Sequence, residues 1–142
     1  MRSWTQLEIA WTLVQPGATV PNCSNANGAT SSDWQYRDGH GVCRDFTHLG
    51  IALCRALNVP SRYVFGYLPD IEVPDPGSPM DFCAWMEVWL GDRWYTFDPR
   101  NGQHRIGRTV IGRGRDAADV AMVTTFGSVQ LVSMTVVAEE VA

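Results

Sequence analysis

Two thiols and a carboxylate are the residues of this sequence whose types and settings suit nucleophilic chemistry. Cys43, in GVCRDF, stands where a helix should begin, and unpaired first-turn amides together with the helix dipole favour a thiolate there. Cys83 and Asp98 lie on PMDFCAWMEVWLGDRWYTFDPRN, from Pro79 to Asn101. Folded as a hairpin turning at Gly91-Asp92, with a two-residue loop, this stretch pairs Leu90 with Arg93, Trp89 with Trp94, Glu87 with Thr96 and Trp85 with Asp98. Cys83 and Asp98 then share a face as diagonal neighbours, about 7–8 Å apart. Taken alone, a cysteine at a helix start is more often structural than catalytic. Cys54, in mid-helix, has no such electrostatic setting and reads as an inert core thiol.

The elements that must position these groups follow from periodicity. Val42, Phe46, Leu49, Leu53 and Leu57 recur every three or four positions, so residues 43–57 form the principal helix, ended by Asn58-Val59-Pro60. SRYVFGYL then predicts a strand over 62–68. In the hairpin, Phe82, Ala84, Met86, Val88 and Leu90 form the core face, which leaves Cys83, Trp85, Glu87 and Trp89 on the other. Gly91-Asp92 reverses the common Asp-Gly order, so its turn type stays open. Glycines 107, 112 and 114 mark bulges or turns around a short strand, DAADVAMV suggests one helical turn, and the alternation of SVQLVSMTVVAEEV predicts a final strand. Upstream, Trp4, Leu7, Trp11 and Val14 suggest an amphipathic helix over 3–14, and residues 21–38 read as loop with one short helix near 32–35. The fold class is therefore α+β, with Cys43 at the N-terminus of a helix packed on an antiparallel sheet. The 142 residues suit one domain.

Composition narrows the function. Hydrophobic residues make up 45% and charged residues 18%, as in a globular protein. All 11 basic residues are arginine and the formal net charge is -4, which disfavours nucleic acid as a partner. Arg100, Arg105, Arg108, Arg113 and Arg115 cluster late; pairing with Asp98, Asp116 and Asp119 suits them better than an anion site. A chain without lysine cannot act as its own amine acceptor in a crosslinking reaction. No apolar run is long enough to span a membrane, and MRSWTQLEIAWTLVQPG mixes Gln and Glu into its start, against a signal peptide. Cysteines 23, 43, 54 and 83 lack zinc spacing and read as cytoplasmic thiols. No cofactor is implied.

GVCRDF opening a helix, ALNVPSRYVFGY after it, DF-x-AW on a strand and WYTFDPRN on its partner resemble the transglutaminase-like superfamily, whose core is papain-like. The tail IGRTVIGRGRDAADVAMVTTFG resembles the bacterial cysteine-protease branch, so the resemblance covers about residues 28–142; the family's usual longer amino-terminal region is not seen. It implies a Cys-His-Asp triad acting on peptide or glutamine amide bonds of a peptide or protein substrate. The nucleophile falls on Cys43, the orienting acid on Asp98, and the histidine on Cys83, because DFCAW stands where the family commonly reads DFHAW. A thiol, with one short arm and one heteroatom, cannot both meet the acid and reach the nucleophile. Among the other histidines, His48 lies about 140° round the helix from Cys43 and faces elsewhere, while His40 and His104 sit in loops as weak substitutes for the base.

Three readings stay open. The chain is an impaired cysteine hydrolase or acyltransferase; or a pseudoenzyme that binds a peptide or protein, with outward Trp85, Trp89 and Trp94 as its surface or as mere cover; or a Cys43–Cys83 redox site. Zinc on Cys43, Cys83, Asp98 and a histidine has weak support from spacing. Trp4, Trp11 and Trp34 are candidates for an additional oxyanion donor beside the Cys43 amide.

Overall fold

The structure, a computed structural model, describes residues 41–77, 81–102, 104–130 and 132–137. The 3–14 and 32–35 helices, Cys23, His40 and the three early tryptophans lie outside the described residues.

The described chain runs α1 (Cys43–Ala56), β1 (Ser61–Tyr67), β2 (Phe82–Trp89), β3 (Trp94–Phe97) and β4 (Thr109–Gly114). The strands form one antiparallel sheet in the order β3-β2-β1-β4, and α1 packs on it, so the expected α+β architecture is present. Helix α1 begins on a half-formed capping box: Asp45 Oδ2 accepts the Val42 amide at 3.0 Å, while Val42 has no side-chain oxygen to return the bond. It ends in a Schellman motif. Asn58 takes a left-handed conformation (φ 57°), its amide donates to the Arg55 carbonyl and the Val59 amide to that of Cys54, after which Pro60 bars continuation.

The buried stripe of α1 is not the leucine row. Cys43, Phe46, Thr47, Gly50 and Ile51 are buried, whereas Leu49 and Leu53 are half-buried and Leu57 is exposed. Gly50 explains the shift: a Cβ there would lie 2.7 Å from Met86 Sδ and 3.3 Å from Pro99 Cγ, so its lack of a side chain lets the helix settle on the sheet at this point.

The hairpin has the expected register, with Met86 opposite Phe97, Glu87 opposite Thr96 and Trp89 opposite Trp94. Gly91 alone of the two turn residues has positive φ (83°), the pattern of a type II′ turn, which wants glycine first and so accounts for the Gly-Asp order. Leu90 is exposed rather than core, because it lies past the last ladder pair, in the turn.

Both faces of β2 are buried. Met86 packs toward α1. On the opposite face Trp85, expected to point outward, is 1% exposed, because Arg108 lies over its ring at 5.6 Å and Gly66 leaves room for its six-membered edge. β4 is the short strand foreseen among the glycines, with a register shift opposite Phe65–Gly66 that leaves Ile111 without a partner. The expected final strand is absent among the described residues 128–130 and 132–137, which hold no regular structure and expose Val129, Val132 and Val137. Residues 116–120 form a short hydrogen-bonded turn, in which the Asp119 and Val120 amides donate to the Asp116 and Ala117 carbonyls.

Candidate active site

Where β3 stops decides what can reach β2. The ladder between them runs only from Trp89–Trp94 to Met86–Phe97. Continued, it would set Trp85 opposite Asp98 and Ala84 opposite Pro99. Proline has no N–H to give, so the strand cannot pair there, and the edge of β2 at Ala84 is left to other groups.

Two sulfurs take it. The Ala84 amide donates to Cys43 Sγ at 3.3 Å, and Cys83 Sγ donates to the Ala84 carbonyl at 3.5 Å. Within an extended strand the N–H and C=O of one residue point to the same side, so both thiols lie along the same edge of β2. Since one peptide unit separates Ala84 N from Cys83 Cα, Cys43 Sγ lies within about 6 Å of that Cα. Both cysteines are buried thiols, not half-cystines. Tyr63, also buried, registers the same crowding: burial foremost, then the neighbouring Cys43 and Cys83, push its phenol above the ordinary tyrosine range.

Asp98 sits at the end of β3 and is held on both oxygens. Asn101 donates its backbone amide to Oδ1 (3.0 Å) and its side-chain amide to Oδ2 (2.7 Å), and Arg108 donates to Oδ2 at 2.9 Å. Its side chain is 4% exposed. The DPRN turn thus fixes the carboxylate while Pro99 ends the ladder. Arginine pairing with Asp98 and Asp116 is as the composition suggested, from Arg108 and Arg115. The role of Asn101 was not read from sequence, although Asp and Asn three apart around a proline are turn formers whose side chains bond nearby amides.

The same sheet face carries a second charged group. Glu87 is buried and accepts from Arg62 at 2.6 Å and from Arg113 at 3.0 Å. Burial alone would raise its carboxyl, but the hydrogen bonds from Arg113 and Arg62 outweigh this and hold it below the usual carboxylate range. Arg62 also lies over Trp94, 4.1 Å from the ring centre, and Trp94 meets Trp89 edge-on. With Trp85 buried, the three-ring surface supposed for a peptide binder is reduced to this pair.

The histidines stand as follows. His48 faces away from Cys43, as its helical angle required: its Nε2 accepts the Ala117 amide at 3.2 Å and its ring packs on Tyr63. It lines a surface cavity with Ile51, Arg55, Arg115 and Asp116 that includes neither thiol. Burial lowers its pKa, with Asp116 acting in opposition. His104 is exposed. Among the described residues, no three His, Cys, Asp or Glu side chains are grouped to hold a metal, and no helix is long and apolar enough to cross a membrane.

Comparison with known proteins identifies the family. An uncharacterised protein of Mycobacterium leprae is 37% identical over 84 residues, covering 57% of this chain and 30% of its own length. One of Mycobacterium bovis is 42% identical over 91 residues, covering 56% and 28%. The chain therefore spans less than a third of these relatives. The crystal structure of a candidate cysteine protease from Cytophaga hutchinsonii matches with a TM-score of 0.65 and 38% identity, over 86% of this chain and 39% of that one. The profile of the Transglutaminase-like superfamily matches residues 13–99, beginning earlier than the motifs alone suggested and closing just after Asp98. By that match, which takes in both buried thiols and the clamped carboxylate, this chain belongs to the transglutaminase-like superfamily.

Proposed function

We propose that this chain carries the core of a cysteine hydrolase or acyltransferase acting on peptide or glutamine amide bonds, with Cys43 as nucleophile and Asp98 as orienting acid. Turnover is slowed or lost because Cys83 occupies the position of the proton carrier. The observation that supports this reading best is the hydrogen bond from the Ala84 amide to Cys43 Sγ, which sets the sulfur beside residue 83. The amide brings a positive dipole end to the sulfur, as does the start of α1. The same local geometry makes the defect specific. An imidazole at 83 could take the proton from Cys43 through one nitrogen and meet Asp98 through the other; a thiol has one heteroatom, and here it serves the Ala84 carbonyl. Loss of a general base costs about 10²- to 10⁴-fold in rate.

Cys83→His tests the reading. Release of ammonia from glutamine peptides and hydrolysis of peptide anilides are measured for wild type, Cys83→His and Cys83→His/Cys43→Ala. A rise of about 10²-fold or more in the single variant, abolished in the double one, is expected. A folded Cys83→His protein no faster than wild type on any peptide amide overturns the proposal.

A further inference from the structure

We infer that Cys43 and Cys83 form a dithiol pair that closes to a disulfide, masking the nucleophile under oxidation and releasing it to thiols. The pairing rests on the geometry at Ala84; only its regulatory meaning depends on the proposed role of Cys43.

Both sulfurs contact the backbone of one residue, Cys43 its N–H and Cys83 its C=O, and both lie on one strand edge. They approach from different elements, Cys43 from the first turn of α1 and Cys83 from β2. The edge between them is not sealed by the β3 ladder. A disulfide needs Cβ atoms about 3.8 Å apart and sulfurs about 2.05 Å apart. Cys43 Sγ already lies within about 6 Å of Cys83 Cα, so rotation of Cys83 about its Cα–Cβ bond, with a small shift of the helix start, closes the gap. Cys54 is no competitor: eleven residues further along α1, it stands about 16 Å away along the axis.

The oxidant is a low-molecular-weight disulfide, RSSR. The Cys43 thiolate attacks one of its sulfurs, breaking the S–S bond and expelling RS⁻, which takes up the proton Cys43 gave. Cys83, deprotonated in turn, attacks Cys43 Sγ in the resulting mixed disulfide; the Cys43–SR bond breaks and the second RS⁻ leaves with the Cys83 proton. The protein dithiol loses two electrons and two protons, and RSSR becomes two RSH. A histidine at 83 could take no part in the second step.

The full chain is equilibrated across ratios of oxidised to reduced glutathione, quenched in acid, denatured, alkylated and digested with trypsin. Arg44, Arg55 and Arg62 place Cys43, Cys54 and Cys83 on separate peptides. As the buffer becomes oxidising, the intact mass should fall by two hydrogens and the Cys43 and Cys83 peptides should appear joined, while Cys54 stays alkylated. Cys83→Ser should carry glutathione on Cys43 instead, since nothing displaces it. Cys43 and Cys83 both fully alkylated at every ratio, or Cys43 joined to Cys23 or Cys54, overturns the pair. Amide turnover is not measured, so failure here leaves the Cys83→His test untouched, and failure of that test leaves the disulfide standing.

Discussion

Arg108 donates to Asp98 at 2.9 Å while its guanidinium lies 5.6 Å from the centre of the Trp85 ring. One side chain thus covers the largest residue buried on that face of the sheet and neutralises the carboxylate at its edge. Arg108→Met keeps much of the cover and removes the charge. Because Asp98 retains the two Asn101 donors, the loss should sit at the low end for a broken buried pair, about 3 kcal/mol, read from the urea midpoint. An unchanged midpoint would show the pair to be incidental.

Glu87 gives a prediction in pH. Its carboxyl is held below its unfolded value, so the stability it contributes is present above about pH 4.5 and is lost as pH falls through the lower folded value. Glu87→Gln should cost about 1–3 kcal/mol at pH 7, since Arg62 and Arg113 are partly exposed and recover some solvation. The gap between variant and wild type should narrow on acidification below pH 4.5. A gap that stays constant down to pH 3 would mean that the carboxylate is not what Arg62 and Arg113 stabilise.

His48 has the opposite charge type and the same pH sense. Its folded pKa lies below the ordinary 6.5, so the unfolded chain binds the proton first and stability declines as pH drops below about 6.5. Protonation of Nε2 also removes the acceptor for the Ala117 amide. His48→Gln, which can offer an oxygen but cannot titrate, should flatten the Tm profile between pH 7 and pH 5.

Two glycine substitutions should part company. At Gly66 a Cβ would stand 2.1 Å from the Thr109 carbonyl oxygen, backbone that cannot yield without displacing β4. Gly66→Ala should therefore cost at least about 2 kcal/mol. At Gly50 the closest atoms are Met86 Sδ at 2.7 Å, in a side chain that can bend, and Pro99 Cγ at 3.3 Å, and the roughly 1 kcal/mol of helix preference that alanine adds offsets part of this crowding. Gly50→Ala should fall within about 1 kcal/mol of wild type by denaturant unfolding.

The sequence made some of this legible and hid the rest for identifiable reasons. The helix, the β1 strand and the hairpin register could be read because each is written in local periodicity and turn residues within a few positions. What could not be read was coverage. Trp85 is buried by Arg108, whose approach depends on how the chain returns after Asn101, and no alternation along β2 reports that. The same gap undid the final strand: SVQLVSMTVV alternates well, but alternation does not supply a neighbouring edge. Cys43 and Asp98 were singled out by a helix start and a hairpin register, whereas the shared contact of both thiols with Ala84 needed the end of β3 to be located.

Pro99 deserves to be seen as a choice of imino acid over amino acid. An alanine in its place would restore the N–H that a further β2–β3 pair at Ala84 requires, a competitor for the backbone groups that Cys43 and Cys83 now contact. The hold of both sulfurs on this edge of β2 thus turns on one missing hydrogen.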